Sequence, residues 1–127
     1  MIGKIKCPCG CGMDIQQLLK DRALLIEADM SAILGEPVQL DVTSGARCDK
    51  YNATIVGSIA GDAHTKGLAL DVFVTADTPE GRATAGALMS ALGKNGVKRF
   101  GDGIINHHYI HFDIADDLPT PRLWVYK

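Results

Sequence analysis

His64, Asp71 and His111 are the residues whose types and spacing offer this chain a catalytic centre. Asp71 interrupts an otherwise apolar run, Leu68-Ala-Leu-Asp-Val-Phe-Val74. Burying a carboxylate there costs several kcal/mol unless a metal ion, an arginine or backbone N–H groups compensate it. His64 lies seven residues upstream, at the end of the loop that feeds this run. In Tyr109-Ile-His-Phe-Asp-Ile114 the apolar residues 110, 112 and 114 share one face of a strand, which leaves Tyr109, His111 and Asp113 on the other, a surface suited to a cleft floor. Two histidines and an aspartate around an open fourth position form a catalytic-zinc arrangement that acidifies bound water and polarises a carbonyl. Taken singly, each of the three is more commonly a hydrogen-bonded or solvated side chain. Spacing links His64 to Asp71, and only residue type links His111 to both.

The elements that must position these residues are readable from periodicity. Ile15, Leu18, Leu19, Ala23, Leu25, Ile26, Met30 and Ile33 recur near the 3.6-residue period and predict a helix from Asp14 to Leu34. Asp14 and Gln17 resemble a capping box, and Gly35 with Pro37 ends the helix. Val38–Val42 alternates as a half-buried strand, and a short helix is expected around Asp49 to Ile55. Gly57–Gly67 reads as a loop and Leu68–Val74 as a central strand. Thr78-Pro79 starts a second long helix that stops near Asn95-Gly96. Val97–Phe100, Tyr109–Ile114 and Leu123–Tyr126 complete the strands. The order implies one α+β domain over residues 1–127, a small, mostly antiparallel sheet with helices packed on one face.

Composition bounds the function. The 127 residues include 46% apolar and 22% charged residues, enough to bury a core and unlike a disordered tail. Lys and Arg number 13 against 15 Asp and Glu, a net charge of −2 that gives no electrostatic footprint for nucleic acid or an anionic membrane. No apolar run is long enough to span a bilayer, and the amino terminus lacks the apolar core of a secretory signal. Cytosolic synthesis is the expectation.

Thr43-Ser-Gly-Ala-Arg-Cys48, Asn52 and Gly61-Asp-Ala-His64-Thr-Lys-Gly67-Leu-Ala-Leu-Asp71, followed by Tyr109-Ile-His111-Phe-Asp113 and Arg122-Leu-Trp124, form a specific combination. It resembles the zinc D-Ala-D-Ala carboxypeptidase-like peptidoglycan peptidases, over about residues 7 to 127. In that family S-G-x-R precedes S-x-H-x-x-G-x-A-x-D and a late zinc-binding histidine. The same fold serves phage endolysins and the hedgehog signalling domain. The resemblance implies Zn2+ at His64, Asp71 and His111, with Arg47 stabilising the oxyanion as water attacks a peptide carbonyl. It implies a peptidoglycan stem peptide as partner, a monomeric enzyme, and action on the cell wall of the host periplasm after release. Gly67 would let the loop turn tightly, and Ala69 would leave room beside the site.

Two departures from the pattern matter. Asp62 stands where the family has the serine of S-x-H, and His108 stands where many members carry a general-base glutamate. His108 is the expected base by position, although strand alternation opposes it to His111. Asp113 and His107 share the parity of His111, and Asp113 is the rival as base or as a partner behind the metal. A non-catalytic binding or phage structural domain on the same scaffold is the alternative reading. Cys7, Cys9, Cys11 and Cys48 have a C-x-C-x-C spacing tighter than ordinary structural zinc sites, which leaves free thiols, a disulfide or a second metal open.

Overall fold

The computed structural model describes residues 1–126; Lys127, the last residue of the expected domain span, lies outside the described residues. The order is β1 (Ile2–Gly3), α1 (Gln17–Leu34), β2 (Asp41–Ser44), α2 (Asp49–Asn52), a 3-10 turn (Ala63–Lys66), β3 (Ala69–Phe73), α3 (Pro79–Lys94), β4 (Arg99–Gly103), α4 (Ile104–His107), β5 (Tyr109–Asp113) and β6 (Arg122–Val125). The architecture is α+β, as the element order implies.

Six strands form one sheet in the order β1-β2-β3-β5-β4-β6. Pairings β2–β3, β3–β5 and β5–β4 are antiparallel, whereas the edge pairs β1–β2 and β4–β6 are parallel. The sheet is therefore mixed, antiparallel at its centre, and the parallel edges carry no signal in local periodicity.

Alternation along the central strands divides the sheet into two faces. Val42, Leu70, Val72, Ile110 and Phe112 point into the main core with Leu19, Ala23, Ile26 and Met30 of α1 and Leu88, Ala91 and Leu92 of α3. Each fully buried Leu, Ile or Phe side chain contributes on the order of 1.5–3 kcal/mol relative to exposure. Asp71, His111 and Asp113 belong to the alternate positions, with Asp71 directly opposite His111 in the β3–β5 register.

Element boundaries depart from the sequence reading in informative places. Helix α1 begins at Gln17, with Gln16 as an N-cap making no side-chain capping bond. Asp14 instead accepts the Ile15 N–H and the Lys20 ammonium, so it orders the approach to the helix rather than capping it. Leu18, Leu25 and Ile33, expected on the buried stripe, are more than half exposed, and the core stripe is narrower. The carboxylate of Glu27, on that stripe, accepts the Leu40 N–H and the amino-terminal ammonium. Thr78 caps α3 as expected, its hydroxyl accepting the Gly81 N–H at 3.0 Å. Strands β2 and β4 sit two to three residues later than their apolar signals, and β1 and α4 had no signal.

Candidate metal centre

Three elements bring the expected ligands together. Strands β3 and β5 supply Asp71 and His111 across one register step, and the 3-10 turn before β3 supplies His64. The turn is set by Asp62, whose carboxylate accepts the Thr65 N–H at 3.2 Å, and by Gly67, left-handed at φ 68°. A Cβ at Gly67 would press on the backbone of Asp14, Ile15 and Gln16, and its carbonyl accepts the Gln16 N–H, so this glycine seats the turn against the start of α1. Ala69 packs with Ala63 and Ala115 in a small cluster beside the site.

The ligand atoms of His64, Asp71 and His111 lie within 4.8 Å of one another. His64 Nε2 is 3.3 Å and His111 Nδ1 is 2.8 Å from Asp71 Oδ1. A tetrahedral ion with bonds of about 2.0–2.1 Å holds its ligand atoms about 3.3 Å apart, so little movement is needed to receive one. The outer nitrogens are already committed. His64 Nδ1 lies 2.7 Å from the Gly45 carbonyl, which turns Nε2 toward Asp71. His111 Nε2 donates to Asp113 Oδ2 at 2.8 Å, which turns Nδ1 toward Asp71. The donor set and its orientation fit zinc.

Both oxygens of Asp113 are engaged. Oδ1 accepts Arg99 Nε at 2.7 Å and the Ala115 N–H at 3.2 Å, while Oδ2 holds His111. With 1% of its surface exposed, Asp113 has the geometry of a partner behind the ligand rather than of a group facing substrate. Burial works against the charge of Asp71, but hydrogen bonds from His111 and His64 outweigh it and hold the carboxyl well below the usual range. Burial likewise disfavours imidazolium at His111, yet Asp113 and Asp71 raise its pKa to about 9. Without metal, His111 is thus a cation clamped between two carboxylates.

The site opens into a cleft of about 590 Å³. The loop 55–61 forms one wall, tied down where Asn52 Nδ2 donates to the Ile59 carbonyl and Ser58 Oγ to the Asn52 carbonyl. Tyr109, Trp124 and Tyr126 form the other: the Tyr rings are 5.1 Å apart and Trp124 is 5.4 Å from His111. Arg99 and Arg122 lie against the Trp124 ring at 5.4 and 5.6 Å. Gly101, paired with His111, makes this wall possible, because a Cβ there would overlap Trp124 and Tyr126. Burial and the neighbouring Tyr126 and Asp71 push the Tyr109 phenol up.

Arg47 lines the cleft, 8% exposed, and its Nε has no hydrogen-bond partner. Its backbone N–H donates to the His64 carbonyl, which couples it to the metal-site turn. His108 is elsewhere: it is the left-handed cap of α4 at φ 57°, its Nδ1 is buried without a partner, and it does not line the cleft. His108 ends α4 and precedes β5, so it is not on the strand at all, and the chain there does not turn its ring into the cleft. His107 sits against Tyr109 and Tyr126, with ring centroids 6.0 and 6.4 Å away. Arg99 and Tyr126 were not predicted as site features; for the strand beside them the alternation of residues 109, 111 and 113 was the one available signal. A hollow of about 620 Å³ between the amino-terminal strand and α1 is lined by Lys4, Lys6, Lys20 and Asp14 and carries no comparable ligand set.

A second group, Cys7, Cys9, Cys11 and Cys48, also has its ligand atoms within 4.8 Å of one another, so the four clustered cysteines have the spacing of a metal site. Comparison with protein-family models, with curated proteins and with solved structures gives no match to this chain. No helix among the described residues is long and apolar enough to cross a membrane.

Proposed function

We propose that this chain is a zinc-dependent peptidase that hydrolyses a peptide bond in the stem peptide of bacterial peptidoglycan, on a fold of the hedgehog and D-Ala-D-Ala peptidase type. The observation that carries the reading is the convergence of His64 Nε2, Asp71 Oδ1 and His111 Nδ1 on the floor of an open cleft, with each histidine's outer nitrogen held by an acceptor behind it. A zinc ion supplies Lewis acidity there, polarising a carbonyl and acidifying a water. The chain's own groups do the rest. Asp113, braced by Arg99, keeps His111 oriented. Arg47, buried with an unspent Nε donor, takes the negative charge that develops on the carbonyl oxygen. The aromatic wall and the 55–61 loop bind the peptide on either side. Asp62, the partly exposed carboxylate in the cleft wall, replaces His108 in this scheme as the group that takes the proton from water.

Incubation of the purified chain with peptidoglycan, followed by muropeptide analysis, tests the proposal. New amino groups should appear, vanish in the His111→Ala variant, and fall about 10²- to 10⁴-fold in kcat in Asp62→Asn with little change in KM. His108→Ala should retain activity. A chain that binds zinc in the cleft yet releases no amino group from any wall preparation refutes the enzyme. That result favours a non-catalytic binding or phage structural domain, a reading supported by the lack of a glutamate or histidine base from the expected position in the cleft.

A further inference from the structure

The amino-terminal cysteines take no part in the proposed chemistry, yet the fold gathers them closely. Cys7-Pro-Cys9-Gly-Cys11-Gly12 curls through left-handed Gly10 and Gly12, at φ 81° and 87°. The curl brings Cys7 Sγ within 3.4 Å of Cys9 Sγ, and Cys9 Sγ within 3.6 Å of Cys48 Sγ, 39 residues away. A tetrahedral ion with thiolate bonds of about 2.3 Å separates its sulfurs by about 3.8 Å, so the mutual spacing within 4.8 Å is that of a four-thiolate cage. Backbone donors are already aimed at two of the sulfurs: Cys48 N–H to Cys7 Sγ and Tyr51 N–H to Cys48 Sγ, both 3.4 Å. Such donors stabilise thiolate over thiol.

Two disulfides fit the arrangement poorly. Cys48 is the one cysteine outside the amino-terminal segment, so pairing all four would join two of Cys7, Cys9 and Cys11 to each other across one or three residues.

We propose that Cys7, Cys9, Cys11 and Cys48 bind one soft divalent ion, zinc in chemical class, as a closed structural site separate from the His64–Asp71–His111 cleft. All four positions are filled by protein, which leaves no place for substrate. The ion ties the amino-terminal segment to the turn that precedes α2, where Ala46 N–H already donates to the Ile5 carbonyl at 2.8 Å. Arg47 immediately precedes the ligand Cys48, so the site fixes the backbone that carries the cleft's arginine. That last consequence rests on the peptidase reading; the metal site itself does not.

Metal content per chain, with cobalt(II) as a spectroscopic probe, tests it on the full chain purified under reducing conditions. The His111→Ala variant should retain about one equivalent of zinc, and its cobalt form should show the near-ultraviolet thiolate-to-metal charge-transfer band of tetrahedral sulfur coordination. The Cys9→Ser, Cys11→Ser double variant should lose that band and about one equivalent. Cobalt-loaded wild-type chain gives the same readout without depending on whether the cysteine variant folds. Absence of the band, four freely titrating thiols in metal-loaded protein, or a mass lowered by one hydrogen per cysteine would each overturn the proposal. Failure of wall hydrolysis leaves these measurements unaffected, so the two readings fail separately.

Discussion

Replacing Asp113 by asparagine separates its two jobs, holding Arg99 and orienting His111. The carboxylate is buried and gives one oxygen to each partner, at 2.7 and 2.8 Å. An amide of the same shape keeps one acceptor and presents N–H to a donor on the other side, either the Arg99 guanidinium or the His111 ring. Breaking a buried ion pair typically costs about 3–5 kcal/mol, and the retained acceptor places the expected loss near the lower end. Loss of the carboxylate behind a histidine ligand weakens metal binding about 10- to 100-fold. That factor is a further 1.4–2.7 kcal/mol, roughly, visible only when zinc is present at concentrations that saturate both proteins. Urea unfolding of wild type and Asp113→Asn, each with saturating zinc and with chelator, measures both quantities in one cycle. The stability deficit of the variant should be larger with zinc than without it by that second amount. An identical deficit under both conditions would refute the claim that Asp113 acts on the metal through His111. No deficit at all would refute the buried pair.

In chelated protein the pKa of His111, raised from an ordinary 6.5 to about 9, contributes stability that is fully present below pH 6.5 and disappears as the pH rises through 9. The shift corresponds to roughly 3 kcal/mol. Asp71 and Asp113, held low, act in the opposite direction, stabilising above the usual carboxylate range and losing their contribution on acidification. Unfolding midpoints measured across pH should therefore decline on both sides of a mildly acidic maximum, and a His111→Asn chain that keeps the alkaline decline unchanged would contradict this account. Gly101→Ala should push the aromatic wall outward, cost about 1–3 kcal/mol as an overpacked contact does, and shift the emission of Trp124, the chain's one tryptophan. Unaltered fluorescence and stability would show that the wall is not packed on that glycine.

The candidate metal centre was more legible than its surroundings because its signals were local. A carboxylate inside the apolar run 68–74, and alternation over 109–114, each follow from neighbours along the chain, and both lie on strands close to where periodicity put them. The base at His108 was a count from a motif made against the strand parity, and the chain places that residue at the left-handed end of a four-residue helix, outside the cleft lining. Arg99 and the parallel edge pairs depend on which strands become neighbours, which local patterns do not encode. Leu18, Leu25 and Ile33 matched a helical period but fell beside the stripe that meets the sheet, since the period fixes a face only to within its width. The cysteine spacing left free thiols, a disulfide or a second metal open, because the conformation that gathers the sulfurs depends on left-handed Gly10 and Gly12 and on Cys48 from a distant turn.

The three cleft ligands do not share one mechanical footing. Asp71 and His111 are fixed by the ladder between β3 and β5 with the packed core directly behind it, so neither can swing away without disturbing the sheet. His64 rides on a single 3-10 turn latched by the Gly45 carbonyl, Asp62 and Gly67. An ion held there as proposed would have a preferred gate: the turn would open first, and the ion would leave a two-legged site rather than a dismantled one. Amide exchange at Thr65 and Gly67 should then keep pace with gain and loss of zinc added to the chain, while the amides of Asp71 and His111 remain protected through many such cycles.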